Sequence, residues 1–255
     1  MQTISFINLK GGVGKTITSL NVAYTLAALH NKKVLVVDND KQGNTTKMFG
    51  LHTYEQKSIA DLITEKTADV KAIIKSTEYA GIDLIPANMN LLAANKEVLL
   101  DTSRPQQTRL KKALEAVKND YDFCIIDNAP DINISVINAL VASDKVIIPV
   151  KIDNFTFDGM GVMVEQVKEI QENFNPGLEL AGALITMYRR NDVNLQGAEF
   201  LETQEINIFK SKIRWTTKVD ESTFAAMPIL QYSARCGASK DYAEFVNEYI
   251  SKYGD

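Results

Sequence analysis

Residues 3–16 read TISFINLKGGVGKT, and residues 18–29 continue as TSLNVAYTLAAL. The opening residues are an apolar run of strand length, and the later ones carry apolar side chains at helical spacing. Lys10-Gly11-Gly12-Val13-Gly14-Lys15-Thr16 is therefore a glycine loop between a strand and a helix. Glycines let the backbone curl so that successive N–H groups point inward, and the helix N-terminus adds partial positive charge for an anion. Such a loop is a cradle for the phosphates of a nucleotide. Lys15 is placed to reach the β- and γ-phosphates, and the Thr16 hydroxyl to hold Mg2+. The full pattern G-x-x-x-x-G-K-[ST] asks for glycine where this chain has Leu9, so the loop is a variant with a second lysine, Lys10.

Outward from this loop, apolar runs of strand length alternate with stretches of helical period. Residues 3–8, 33–38, 82–86, 121–127, 145–150 and 180–187 read as strands buried on both faces, with a last strand near 206–213. Helices are expected near 16–30, 58–75, 88–98, 106–118, 133–142, 155–174, 195–204 and 238–252. Alternation of this kind implies an α/β fold: a single doubly wound, mostly parallel sheet with helices on both faces. No Pro/Gly/Ser-rich linker or repeat divides the 255 residues, so one domain over 1–255 is expected. In open sheets of this type ligands bind at the carboxyl ends of the strands.

Composition narrows the possibilities further. The chain is 45% hydrophobic and 24% charged, an ordinary globular profile that excludes a fibre or a disordered tail. Its net charge of −4 excludes a bulk polycation, so any nucleic-acid contact must be a local patch. The two cysteines, Cys124 and Cys236, are far apart and the two histidines, His30 and His52, make no ligand spacing with them, which argues against a zinc or iron–sulfur site. The N-terminus is no secretion signal and no run of about 18 apolar residues exists, so a cytoplasmic protein without a membrane span is expected.

Two acidic segments follow strands. Val36-Val37-Asp38-Asn39-Asp40-Lys41-Gln42-Gly43-Asn44 places two carboxylates two apart at a strand end, on the same side and near the mouth of the phosphate loop. Tyr121-Asp122-Phe123-Cys124-Ile125-Ile126-Asp127 is an apolar run ending in a carboxylate, the form of a Walker B element that holds Mg2+ through water. Cys124, inside that strand, reads as core.

Lys-Gly-Gly-Val-Gly-Lys-Thr resembles the deviant phosphate-loop signature of the ParA/MinD family of dimeric ATPases. The resemblance implies the phosphate-loop NTPase fold with ATP and Mg2+ as ligands, bound by Lys10, Gly11, Gly12, Val13, Gly14, Lys15, Thr16 and Ile17. It also implies that Lys10 crosses to the γ-phosphate held by a partner subunit, making Lys10 and Lys15 catalytic and coupling ATP to homodimer formation. Two cations at a phosphoryl-transfer centre neutralise its charge, as an arginine finger does. Ile17 stands where the family commonly has a second hydroxyl, so a contact to the α-phosphate is missing and backbone donors and Thr18 are left to compensate. The segment 38–44 looks like the family's D-x-D-P-Q-G-N switch, with Lys41 in place of proline. By that likeness Asp40 orients the attacking water, and Asp38 sits near the metal shell with Thr16 and Asp127. Asn128-Ala129-Pro130, Asn138-Ala139-Leu140, Ser143 to Val150, Phe155 to Gly159, Thr186-Met187-Tyr188 and Pro228-Ile229-Leu230 extend the resemblance over positions 2–232.

Within that family the chain looks like the short, Soj-like ParA type, because it begins at the first strand without room for an N-terminal helix-turn-helix domain. A MinD-like member would end in a basic amphipathic helix. Here Asp241, Glu244, Glu248 and Asp255 stand against Lys252, and an acidic end is repelled by anionic lipid. An iron–sulfur relative would need cysteines after a switch motif. DNA is the remaining output: Lys210, Lys212, Arg214 and Lys218 occur within 210–218 with no acid among them, and Arg189 and Arg190 extend the patch. Lys218 lies where Soj-like members carry an arginine implicated in nonspecific DNA binding, and Thr216 is the candidate for the adenine. The resemblance thus implies a partition ATPase that dimerises on ATP, binds DNA nonspecifically on the nucleoid, and is stimulated by a ParB-like centromere-binding protein. The alternative is a MinD-like or other switch acting on a protein or membrane partner without DNA.

Overall fold

The computed structural model describes residues 1–153 and 156–254; Phe155 and Asp255 of the sequence comparison lie outside the described residues. Strands β1 (Gln2–Phe6), β2 (Val34–Asn39), β3 (Lys75–Ser76), β4 (Ile82–Ile85), β5 (Phe123–Asn128), β6 (Lys145–Lys151), β7 (Glu179–Tyr188) and β8 (Ile208–Arg214) form one sheet in the order β3-β4-β2-β5-β1-β6-β7-β8. Every pairing is parallel except β3 with β4. The helices are α1 (Lys15–His30), α2 (Asn44–Met48), α3 (Ile59–Thr64), α4 (Val70–Ile73), α5 (Asn90–Leu100), α6 (Arg109–Glu115), α7 (Ile134–Ala142), α8 (Thr156–Asn173), α9 (Asp192–Glu202), α10 (Thr217–Phe224), α11 (Ile229–Tyr232) and α12 (Gly237–Tyr253). The expected α/β class, the parallel sheet and all seven expected strands are present.

The strands are apolar without interruption because alternate side chains enter two different cores. Val34 and Val36 of β2 and Ile4 and Phe6 of β1 pack with Leu20 and Leu26 of α1 and with Tyr242, Phe245 and Tyr249 of α12. Leu35 and Val37 point the other way, onto Ile59 and Ile63 of α3 and Val98 of α5. A third cluster joins Ile148, Val150 and Ile185 to Val136 of α7, Met163 and Val167 of α8 and Leu201 of α9. Phe245 is fully buried and meets Phe209 edge-on at 5.0 Å between ring centroids; its truncation to alanine would cost about 3–5 kcal/mol.

One expected helix, 58–75, is instead two short ones and a strand. Ser58 and Asp61 form a capping box that starts α3, and Asp69 caps α4 by accepting from the Lys71 N–H at 3.0 Å. The polar residues between them turn the chain to the antiparallel edge strand β3. Such side chains bond nearby backbone more readily than they extend a helix. The helix expected at 106–118 begins only at Arg109, because Asn138 Oδ1 accepts the Arg109 and Leu110 N–H groups at 2.8 and 3.2 Å. Helices α2, α10 and α11 fall outside the helices expected from the sequence.

The sheet positions the site. From β1 the chain goes to β2 on one side, while β6 flanks β1 on the other, so strand order reverses at β1. A crevice opens at such a point at the carboxyl ends, and β1 ends in the glycine loop.

Candidate functional site

The loop after β1 is held by its first residues. Asn8 donates to Pro149 O at 2.8 Å and accepts the Lys10 N–H at 2.8 Å, and Lys15 Nζ donates back to Lys10 O at 3.0 Å. Gly14 has φ +84°, a conformation that side chains rarely adopt, and it leads straight into α1. No side chain caps that helix and no acid occupies its first turn, so its first N–H groups are left for an anion. No atom lies within 4 Å of where side chains at Gly11 or Gly12 would begin, so the cradle is open. Lys10 forms an ion pair with Asp153 beyond β6.

Opposite the loop stand the carboxylates. Asp38 and Asp127 are register partners on neighbouring strands β2 and β5, and both are buried. Asp127 Oδ2 accepts from the hydroxyls of Thr16 at 2.8 Å and Thr45 at 2.7 Å, and Oδ1 faces Ser19 at 3.4 Å. Asp38 Oδ2 accepts from the Thr46 hydroxyl at 2.6 Å and its N–H at 2.8 Å, while Oδ1 accepts the Asp40 N–H at 3.2 Å. Burial pushes Asp38 up to about 7, with Asp127 beside it adding to the rise and the Thr46 hydrogen bonds opposing it. Burial likewise pushes Asp127 up to about 6, against the hydroxyls of Thr45 and Thr16 and the charge of Lys15. Lys15 is lowered by burial, with Asp127, Asp40 and Asp131 pulling it back. Asp40 follows β2 and accepts the Gln42 N–H at 2.9 Å. Gly43 turns the chain into α2 with φ +62°, and a side chain there would begin 2.8 Å from Ala87 O.

These groups fit a hard divalent cation. Two buried carboxylates beside a threonine hydroxyl offer oxygen ligands, and a cation would relieve their mutual repulsion. No group of three or more His, Cys, Asp or Glu side chains able to hold a metal occurs among the described residues. Thr16 and Asp127 would thus share the ion with water and phosphate oxygens, the usual arrangement for Mg2+. Asp38, expected near the metal shell, lies beside Asp127 but has both oxygens engaged by Thr46 and Asp40.

Beside Gly14 a largely apolar cavity of about 520 Å3 is lined by Ile17, Thr186, Met187, Trp215, Thr216, Val219, Phe224 and Tyr242 among others. Its size and walls suit the base and ribose of a nucleotide whose phosphates occupy the loop. Ile17 thus contributes an apolar wall, and Thr216 lies in the lining while its hydroxyl caps α10 by accepting the Lys218 N–H. Thr18, expected to help compensate for the missing hydroxyl at 17, is fully buried, with its Oγ1 3.3 Å from Tyr242 Oη.

The basic stretch requires a correction. Acids absent from 210–218 in sequence are supplied in space. Asp241 on α12 binds Arg214 through Nε at 2.7 Å and Nη2 at 2.6 Å, and Lys218 pairs with Glu221 at 2.6 Å. Lys212 lies 4.0 Å from Glu202. Glu248 accepts the backbone N–H groups of Lys210 and Ser211 at 2.8 and 2.9 Å, and Asp241 that of Arg214 at 2.9 Å. The stretch is therefore not an uncompensated +4. A cleft of about 550 Å3 nevertheless gathers Arg189, Arg190, Lys212 and Arg214 with Tyr188 and Trp215, and Arg189 lies 4.1 Å over the Trp215 ring. Lys210 and Lys218 do not line it.

Sequence reasoning missed Thr45, Thr46, Asp131, Asp153 and Trp215. Thr45 and Thr46 directly follow Gln42-Gly43-Asn44, so continuing that motif by two residues would have found them.

Residues 1–180 match a family model described as an AAA domain. The sporulation initiation inhibitor protein Soj of Bacillus subtilis is 36% identical over 250 residues, covering 97% of both chains. The chromosome partitioning protein ParA of Caulobacter vibrioides is 31% identical over 260 residues, covering 100% of this chain and 96% of its own. Among solved structures, cobyrinic acid a,c-diamide synthase from Mycobacterium smegmatis with a bound ATP analogue and magnesium superposes at TM-score 0.84 and 26% identity, covering 100% of this chain and 97% of that one. No described helix is long and apolar enough to cross a membrane.

Proposed function

Because the chain belongs to the ParA/MinD family of ATPases, we propose that it is a partition ATPase. Its single domain over 1–255 binds Mg·ATP, pairs with a second copy, and holds DNA nonspecifically until a ParB-like partner stimulates hydrolysis. The observation that carries this reading is one glycine loop bearing both Lys10 and Lys15 opposite Asp127 and Asp40. Magnesium, held by Thr16 and through water by Asp127, would neutralise charge on the terminal phosphates. Lys15, already buried among Asp127, Asp40 and Asp131, serves the phosphates of its own protomer. Lys10 serves the γ-phosphate bound by the partner, and Asp40 orients the attacking water. The apolar cavity lined by Ile17, Thr216 and Trp215 takes the base. The cleft of Arg189, Arg190, Lys212 and Arg214, doubled in the dimer, takes DNA phosphates, and Lys210 and Lys218, outside its lining, add charge to the same stretch. The protein would then be cytoplasmic and nucleoid-associated while ATP-bound.

The test is DNA retention with ATP, with ADP and with no nucleotide, at two salt concentrations. Retention that needs ATP and falls steeply with salt supports the reading. A second reading, a nucleotide switch acting on a protein partner alone, is favoured by the pairing of Arg214 and Lys218 with acids. It predicts ATP-dependent dimers with no DNA retention under any of these conditions.

A further inference from the structure

Asp40 lies between two neighbours that are each tied to the loop following β5. On one side, Asn39 is fully buried at the end of β2 and donates through Nδ2 to Asn128 Oδ1 at 2.8 Å and to Ser135 O at 3.0 Å. Those two acceptors are the two ends of the segment that leaves Asp127 and enters α7. Asn128, also buried, donates in turn to Phe6 O at 3.2 Å, on the strand that leads into the phosphate loop. The amides thus connect the carboxyl ends of β2, β5 and β1, the three strands that carry Asp40, Asp127 and the glycine loop. On the other side, Lys41 Nζ lies 3.7 Å from Asp131, whose Oδ1 accepts from Asn133, the N-cap of α7, at 2.7 Å.

A buried amide is costly unless satisfied, yet Asn39 Oδ1 has no hydrogen-bond partner. An apolar side chain at position 39 would remove that orphan oxygen but leave the buried Asn128 Oδ1 without its donor, so the two amides stand as one unit joining β2 to the segment after β5. The two connections also differ in kind. One is buried and indifferent to salt, while the other is a partly exposed ion pair that salt screens.

We propose that the Asn39–Asn128 amide pair and the Lys41–Asp131 ion pair are positioning contacts that hold Asp40 in register with the segment after Asp127. All four are positioning residues acting through Asp40. The inference rests on the reading of Asp40 as the group that orients the attacking water. It adds a source of regulation: a partner that separates the loop after β5 from the loop after β2 changes turnover without touching nucleotide.

The experiment is a double-mutant cycle read as kcat for ATP hydrolysis at saturating Mg·ATP, alongside the affinity for a fluorescent ATP analogue and the thermal midpoint. Asn39→Ala, Asn128→Ala and the double variant should each lower kcat about tenfold, with the double no worse than the worse single. Nucleotide affinity should stay within about twofold of the parent. Lys41→Gln, Asp131→Asn and their double variant should each lower kcat several-fold at low salt and much less at high salt, with the double no worse than the worse single. Asp40→Ala is the control for the underlying reading, and it should abolish turnover while leaving nucleotide bound. If Asp40→Ala retains parental kcat, the role of Asp40 is wrong and the proposal falls with it. If Asp40→Ala is inactive while the pair variants keep parental kcat, or lose kcat and affinity together, the positioning role alone is overturned. Should the buried asparagine variants fail to fold, the surface ion pair decides: a Lys41→Gln/Asp131→Asn double whose loss is the product of the two single losses overturns the proposal.

Discussion

Asp38 and Asp127 face each other across β2 and β5 as register partners, both excluded from solvent. Burial pushes Asp38 up to about 7, with the charge of Asp127 adding to the rise, and pushes Asp127 up to about 6 against the hydroxyls of Thr45 and Thr16 and the charge of Lys15. Both lie above the value of about 4 expected in the unfolded chain, so the folded state binds protons more tightly. Their contribution to stability is present in full below about pH 4 and is lost as pH rises through 6 and 7. The thermal midpoint of the protein without nucleotide or metal should therefore be more pH-sensitive than that of Asp38→Asn, with the parent losing several degrees relative to the variant between pH 5 and 8. Adding Mg·ATP should raise the parental midpoint more at pH 8 than at pH 5, since a cation binds the ionised carboxylates. Differential scanning fluorimetry across that range checks both outcomes.

Lys10 and Lys15 should separate cleanly. Lys15→Ala should weaken Mg·ATP binding by about tenfold or more, because it removes the buried cation of the cradle. Lys10→Ala should leave nucleotide affinity nearly unchanged, abolish the ATP-dependent dimer and reduce turnover by about a hundredfold or more. Fluorescent-nucleotide titration and sedimentation velocity with and without ATP distinguish the two patterns.

Asp241→Ala should destabilise the fold by about 2 kcal/mol, because it deprives the Arg214 N–H and guanidinium of their common partner. Urea unfolding should show a lower midpoint at an unchanged slope. A loss of DNA retention in Arg214→Ala must therefore be judged against its own stability.

The cations differ in what they are free to offer DNA. Arg189→Ala combined with Arg190→Ala should weaken ATP-dependent DNA retention about tenfold and reduce the salt slope by about 2 per protomer. Lys218→Ala should do less, since Lys218 is outside the cleft and paired with Glu221. Retention measured over a salt series gives both numbers.

What was legible in the sequence is what lies close together along the chain. The glycine loop, Asp38, Asp40 and Asp127 each follow an apolar run, and a parallel sheet brings strand ends to one rim whatever the lengths between them. Charge compensation across the fold was not legible, because it joins residues far apart: Lys10 with Asp153, Arg214 with Asp241, and Lys41 with Asp131, whereas Lys218 with Glu221, three residues on, was open to reading. Reading 210–218 as acid-free counted neighbours in sequence, while the compensating acids come from α9, α10 and α12. The division of 58–75 was legible in principle, since Ser58-x-x-Asp61 and Asp69 are helix-start signals inside an apolar periodic stretch.

The acidic last helix was first informative for what it would repel, but its carboxylates also act on the rim of the sheet. Glu248 and Asp241 occupy backbone donors along β8, and the opposite rim, β3, is two residues long. A passing strand finds little to add to at either end, which is how natural sheets avoid growing into fibres. If the protein meets its own copy and parts from it with each ATP, as proposed, it gains from this. Self-contact by its sheet rims would be open-ended and hard to reverse, whereas contact through the loop-bearing face is limited to two.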